Sequence, residues 1–178
     1  MKNTTLLALT FFTATAAFAD VTVVPGNACN AVLPGQSQQL EWRQNGLINP
    51  TTNKDFFVVC PMERISSSTD SGAFTYWGGA IIASASADAA ETSSVSCQMR
   101  EMVGDTRVAS RSASVTLAPG ETGVMTWSPR RVRDDSLSSY HASCRMPPQT
   151  QVNTAISVSA IDGDASQLNA VIERIGNN

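Results

Sequence analysis

Apolar and polar residues alternate with a period of two along much of the chain, which is typical of β-strands that bury one face. The clearest alternation covers residues 94–102, where Val95, Cys97 and Met99 are separated by polar residues. Residues 55–62 differ, because apolar side chains occupy both faces of the run before its proline. This segment predicts a central strand that is buried on both sides and ends at Pro61.

Other stretches with strand character are separated by turn dipeptides such as Asn45-Gly46, Gly104-Asp105 and Pro119-Gly120. The further predicted strands cover residues 21–24, 38–43, 73–83, 106–117, 122–128, 140–146 and 152–161. Strands do not alternate with helices in this pattern. We therefore expect an all-β fold, an antiparallel β-sandwich of jelly-roll or immunoglobulin-like type with about eight strands.

Three stretches depart from simple alternation. Gly78-Gly79 lies inside a predicted strand and indicates a β-bulge or a close backbone neighbour. Residues 128–138 are highly charged and have no apolar period, which predicts an exposed loop. Residues 84–93 are small and polar and fit either a loop or a short helical turn.

The C-terminal residues change to a helical period. Leu168, Val171, Ile172 and Ile175 recur at the spacing of one helix face, and Gly176 follows at a position that suits a helix end. These residues predict a short amphipathic helix. The preceding acidic residues partly match a calcium-binding loop, but Gln167 occupies the position that requires glycine, so we expect no metal site there.

The first nineteen residues have the pattern of a secretory signal peptide. Lys2 is followed by an apolar and small-residue run, and Ala17-Phe18-Ala19 fits a cleavage site before Asp20. Residues 20–178 then form one domain, and no later stretch approaches the roughly 20 apolar residues of a membrane span. We expect a secreted or periplasmic protein without a membrane span.

Four cysteines in an exported chain predict two disulfides, because that compartment is oxidising. Three pairings are possible and spacing alone does not choose among them. The predicted strands favour Cys29–Cys60 and Cys97–Cys144, with Cys97 and Cys144 both facing inward. A cysteine-only metal site is disfavoured, since the chain has no C-x-x-C pair.

The charge balance excludes some partners. The formal charge is −3, and removal of Lys2 with the leader makes it −4. An acidic chain without a basic stripe argues against nucleic acid as a partner. Charged residues make up 15% of the chain, below the usual quarter, and serine and threonine occupy the presumed outer faces.

Several short motifs together resemble a group of small exported bacterial proteins. The motifs are NG-x-x-N at residues 45–49, VVCP at 58–61, SC at 96–97 and C-x-x-PP at 144–148, in this order. The resemblance covers residues 29–161 and implies a secreted domain. It implies no catalytic or binding residues.

No pattern in the chain points to a reaction. His141 is the single histidine and is predicted to face outward, and no G-x-S-x-G motif is present. Glutamates near predicted strand ends could supply the carboxylate pair of a glycosidase. They are Glu63, Glu91, Glu101 and Glu121. We assign no catalytic residue, cofactor or metal ligand.

Aromatic residues offer the remaining candidates for a site. Trp42 and Trp127 lie in apolar registers and are expected in the core, whereas Trp77 is the candidate for an exposed, ligand-binding tryptophan. The favoured function is a non-catalytic binding or structural module, with a cell-surface glycan or protein as its partner. The alternative is a carbohydrate-active hydrolase.

Overall fold

Two antiparallel β-sheets pack face to face in the computed structural model, which describes residues 20–62, 75–132, 138–161 and 165–177. The predicted leader 1–19 and the calcium-like residues 162–164 lie outside these ranges. The predicted all-β sandwich with a C-terminal helix is confirmed. None of the helices within these ranges is long and apolar enough to cross a membrane.

The described residues form eleven strands, more than the sequence indicated, because some strands are only two or three residues long. The strands are β1 Asp20–Pro25, β2 Asn30–Ala31, β3 Glu41–Arg43, β4 Gly46–Ile48, β5 Phe56–Pro61, β6 Thr75–Ala85, β7 Ser93–Val103, β8 Thr106–Leu117, β9 Thr122–Val132, β10 Ser138–Met146 and β11 Thr150–Ile161. Helix α1 covers Pro34–Ser37 and helix α2 covers Ala165–Gly176.

The first sheet has the strand order β3-β4-β11-β6-β9, and β1 also pairs with β11. The second sheet has the order β2-β5-β10-β7-β8. Most successive strands therefore lie in different sheets, and their connections cross between the sheets at the two ends of the sandwich. This crossing brings loops that are distant in sequence together.

Inward-facing side chains of both sheets form the core. The alternation predicted for β7 and β10 is confirmed, since Val95, Cys97, Tyr140 and Cys144 are buried while their neighbours are less so. Trp127 is also buried, as predicted. Transfer of such apolar surface from water is the main favourable contribution to folding.

Helix α2 covers the outer face of the first sheet. Its buried residues Leu168 and Ile172 pack with Ala80, Ile156 and Val158. The helical period was predicted correctly. The apolar side chains of that period form the helix face that packs on the apolar outer face of this sheet. Strands β6 and β11 are consequently the ones buried on both sides.

The prediction that residues 55–62 form a strand buried on both sides is wrong. Phe56, Val58 and Cys60 of β5 are buried, but Phe57 on the opposite face is 47% exposed. No described element covers the outer face of the second sheet, so Phe57 has nothing to pack under. The strand itself and its end at Pro61 are confirmed.

Gly78-Gly79 occupies a bulge, as predicted. The register between β6 and β9 shifts between Trp77 and Gly79, and a Cβ on Gly78 would lie 2.8 Å from both Ile172 Cδ1 and the Trp127 carbonyl oxygen. The same bulge accommodates Pro129, which lacks an N–H for the sheet ladder. The predicted loop at residues 128–138 is therefore wrong for residues 128–132, which continue β9; residues 133–137 are outside the described ranges.

Arg111 of β8 joins the two sheets beside this bulge. Its guanidinium donates to the carbonyl oxygens of Ser128 and Trp77, and its own carbonyl accepts from Trp127 Nε1 at 3.0 Å. Burial, followed by the nearby charge of Arg130, lowers the pKa of Arg111 to about 10. Arg111 thus remains charged at neutral pH and donates to carbonyl groups at the bulge.

Both predicted disulfide pairings are confirmed. Cys97 and Cys144 lie opposite each other in β7 and β10, with Cα atoms 4.0 Å apart. Cys29 and Cys60, 4.1 Å apart, link the segment before β2 to β5. The first disulfide links two neighbouring strands of the second sheet and the second ties the residue before β2 to β5 of the same sheet, so neither joins the two sheets.

Candidate ligand-binding cleft

Three connections between the sheets meet at one end of the sandwich and line a cleft of about 480 Å³. They are the β4–β5 connection, the β6–β7 connection and the turn between β10 and β11. Residues 52, 55, 89–94, 145 and 147–149 contribute to its walls. This volume lies within the ~300–1,000 Å³ that is usual for small-molecule sites.

A carboxylate and a guanidinium form the best-defined polar pair in this cleft. Arg145 Nε donates to Asp55 Oδ2 at 2.8 Å, and Arg145 Nη2 lies 2.6 Å from the same oxygen. Both side chains are partly exposed, so the pair contributes little to stability. Its effect is to hold the guanidinium plane in one orientation at the cleft wall.

Several other polar side chains of the cleft make no hydrogen bond or ion pair with the described part of the chain. The Glu91 carboxylate makes no ion pair or hydrogen bond within the described ranges, and neither do the hydroxyls of Thr52, Thr92 and Ser94. Pro147 and Pro148 add apolar ring surface. The cleft therefore offers unpaired donors and acceptors beside a small apolar surface.

Asn49 is fully buried and holds the loops of this end together. The two N–H groups of its Nδ2 are shared among three carbonyl oxygens, those of Lys54 at 2.8 Å, Met146 at 3.0 Å and Pro147 at 2.9 Å. Its Oδ1 accepts from both the backbone N–H and the hydroxyl of Thr51. One side chain thus joins the β4–β5 connection to the turn that follows β10.

The turn between β10 and β11 contains an unusual backbone conformation. Gln149 has φ 56°, and it is the one non-glycine residue with positive φ among the described residues. Its N–H donates to the Thr51 carbonyl at 3.1 Å, and its carbonyl accepts from Ser86 N–H at 2.8 Å. Its side-chain amide forms no hydrogen bond with the described part of the chain.

A second cavity of about 250 Å³ adjoins this turn. It is lined by Arg43 and by residues 48–50, 84–86 and 149–151. Gln149 is common to the two cavities. The turn therefore borders both cavities.

The prediction that Trp77 is exposed is wrong. Trp77 is only 2% exposed, its Nε1 donates to Ser157 Oγ at 2.8 Å, and its ring lies 4.6 Å from that of Tyr140. At this position of β6 the side chain points into the space between the two sheets, where it packs against Tyr140 of the second sheet. A buried indole offers no face on which a ligand could stack.

Trp42 shows the opposite error, since we expected it in the core. It is 45% exposed, and its Nε1 donates to the Cys29 carbonyl at 3.4 Å. Strand β3 is short and lies at a sheet edge, and none of the elements that the structure describes covers this side chain. Trp42 lines neither of the two cavities.

His141 lies on the outer face of the second sheet, opposite Arg100, and faces outward as predicted. Burial, and secondarily the charge of Arg100, lowers its pKa below the usual value. His141 lines neither cavity. Within the described ranges, no group of three or more His, Cys, Asp or Glu residues could hold a metal ion.

The sequence analysis missed Asp55, Arg145 and Gln149, and it considered Glu91 only as one of several carboxylates near strand ends. Each lies in or beside a connection between strands, and such connections commonly carry binding residues. The available signal was their position at strand ends. The crossing of those connections from sheet to sheet could not be derived from that signal.

Comparisons with protein-family models and with curated proteins find no match. Two matched solved structures are those of infectious bursal disease virus strains Gx and Gt, with TM-scores of 0.39 and 0.42 and identities of 10% and 9%. The matches cover 86% of this chain but only 37% and 36% of the viral chains. At these TM-scores the similarity carries no argument about function.

Proposed function

We propose that this chain is an exported, non-catalytic binding module whose ligand site is the cleft of about 480 Å³ between the β4–β5, β6–β7 and β10–β11 connections. The observation that carries the proposal is the set of polar groups in the cleft that the fold leaves unused. A leader-like N-terminus and two disulfides support export.

The chemistry of the lining favours a polyhydroxylated ligand such as a sugar. Planar carboxylate and guanidinium groups can each bind two neighbouring hydroxyls, and the side chains of Glu91 and Arg145 are available for this. Pro147 and Pro148 provide apolar surface for the C–H face of a sugar ring. The described residues that line the cleft include no aromatic side chain, so we expect weak affinity, with Kd on the order of 1 mM or about −4 kcal/mol.

Arg145→Ala should weaken sugar binding about 10- to 100-fold, because a hydrogen bond to a charged group contributes ~1.5–3 kcal/mol. Neutral monosaccharides, titrated against the protein by NMR, would report both affinity and the residues affected. The melting temperature should change little, since the ion pair with Asp55 is partly exposed.

Arg107→Ala is the matched control. Arg107 is exposed on β8 and lines neither cavity, so this variant should bind as the unmodified protein does. Chemical shift changes confined to other surfaces, or equal affinities in both variants, would contradict the proposed site.

A carbohydrate-active hydrolase is the second candidate, because Asp55 and Glu91 line the same cleft. If the protein hydrolyses chromogenic glycosides, Glu91→Gln should lower kcat at least about 100-fold, as expected for loss of a general acid or base. Glu173→Gln, on the exposed face of α2, is the control. We expect no turnover from the unmodified protein; turnover that Glu91→Gln alone removes would replace the binding module with the hydrolase.

A further inference from the structure

We propose that the two cavities form one elongated site that binds a neutral oligosaccharide chain across the turn between β10 and β11, with Gln149 contacting the chain at the crossing. The proposal rests on the proposed function of the larger cleft. It adds that the ligand is a chain of several sugar units rather than a single unit.

The position of the turn supports a continuous site. Residues 147–149 line the larger cavity and residues 149–151 line the smaller one, so the two cavities share this short turn as a common wall. The smaller cavity, at about 250 Å³, is below the ~300 Å³ at which independent small-molecule sites begin. It is better suited to hold a further unit of a chain that is already bound in the larger cleft.

The backbone at Gln149 supports a role for its side chain. Gln149 has φ 56° and follows Pro148 in a turn. Glycine is the residue that adopts this backbone conformation without steric cost. A long side chain at such a position is strained, and strained residues cluster at ligand sites. Hydrogen bonds to Thr51 and from Ser86 hold the conformation and leave the side-chain amide available.

The charges along the combined site favour a neutral chain. Arg145 is paired with Asp55 in the larger cavity, and Arg43 of the smaller cavity is paired with Glu41 at 2.7 Å. Glu91 is therefore the one lining charge without a partner among the described residues. An anionic polymer would meet this carboxylate, and a basic peptide would meet two guanidinium groups. The described lining residues also include no aromatic side chain of the kind that anchors peptides in a deep pocket.

The test is the dependence of affinity on chain length. Neutral oligosaccharides of glucose, mannose and N-acetylglucosamine, each from one to four units, would be titrated by calorimetry and NMR. We expect affinity to rise at least tenfold from one unit to four in one of these series. Shift changes should extend from the larger cavity to the smaller one as the chain lengthens.

Two variants test the contributions of the β10–β11 turn and the smaller cavity separately from that of the larger cleft. Arg43→Ala should remove most of the gain with length and leave the affinity for one unit unchanged, since Arg43 lines only the smaller cavity. Gln149→Gly should also remove the gain while the melting temperature stays equal or rises, because glycine accepts positive φ. Arg107→Ala should retain the full gain.

Each contrary outcome has a distinct meaning. Binding of one unit with no gain on lengthening overturns the elongated site and leaves the proposed function standing, whereas no sugar binding at all overturns both. A gain that survives Gln149→Gly, or a fall in melting temperature of more than about 5 °C in that variant, overturns the role of Gln149. A gain that survives Arg43→Ala overturns the part assigned to the smaller cavity. Equal binding of an uncharged Ala-Ser peptide at the same residues overturns the ligand class.

Discussion

Asn49→Asp should lower the free energy of unfolding by about 4 kcal/mol, although the two side chains have nearly the same shape. The Asn49 amide donates to the carbonyl oxygens of Lys54, Met146 and Pro147. A carboxylate cannot donate to them, and it would place a buried negative charge beside three oxygen atoms. Urea unfolding at pH 7 with the disulfides intact measures the loss.

Asn53→Asp is the matched control for this prediction. Asn53 lies in the same connection but is exposed, so its replacement should change stability by less than about 0.5 kcal/mol. Protonation would return one donor to the buried carboxyl and remove its charge. Asn49→Asp should therefore recover stability relative to Asn53→Asp between pH 7 and pH 4. A loss below about 1 kcal/mol at pH 7 would contradict the role assigned to Asn49.

Removal of the Cys97–Cys144 disulfide should lower the free energy of unfolding by about 4 kcal/mol in the chain-entropy model, because the bond closes a loop of 47 residues. The bond links β7 to β10 in the interior of the second sheet. Cys97→Ala/Cys144→Ala should therefore unfold in a single transition at lower denaturant concentration, measured by tryptophan fluorescence.

The Cys29–Cys60 disulfide provides the comparison, since its loop of 31 residues gives a similar entropy. It anchors an irregular segment beside the two-residue strand β2, whereas β1 remains paired with β11 without it. In Cys29→Ala/Cys60→Ala, residues 26–37 should lose protection from proteolysis and hydrogen exchange before the sandwich unfolds. Loss of protection throughout the chain at once would contradict this local role.

The two tryptophan predictions show where sequence patterns stop being informative. Leu40 and Trp42 alternate as a buried pair would, yet only Leu40 is buried, because β3 is three residues long and lies at an edge. Trp77 was the candidate for exposure because the other two tryptophans lie in apolar registers, yet Trp77 is in the core. Periodicity identifies which residues share a face, but the cover over that face comes from other parts of the chain.

The same reason explains Phe57 and helix α2. Both outer sheet faces carry apolar residues in the sequence, but α2 packs on one of them and no described element packs on the other. Phe57 and Ile156 are both apolar strand residues on outer sheet faces, but Phe57 is exposed and Ile156 is buried because α2 covers only the face that carries Ile156. The amphipathic period of α2 predicted that its apolar face packs on another part of the protein, but it did not indicate which of the two sheets that is.

The sequence by itself determined the features that depend on near neighbours. Alternation of side chains defined most strands, the helical period defined α2, turn residues separated the elements, and inward cysteines on predicted strands favoured the correct pairings. Each follows from the conformational preference of a few consecutive residues. These preferences were sufficient for the fold class.

Only the tertiary structure decided the order of the strands, the cover of each sheet face and the candidate site. Asn49 contacts the Met146 and Pro147 carbonyls across 97 and 98 residues of sequence, and Asp55 pairs with Arg145 across 90. Such contacts form because connections crossing between the sheets meet at one end. Local patterns carry no information about which distant loops will meet, and the cleft exists only where they do.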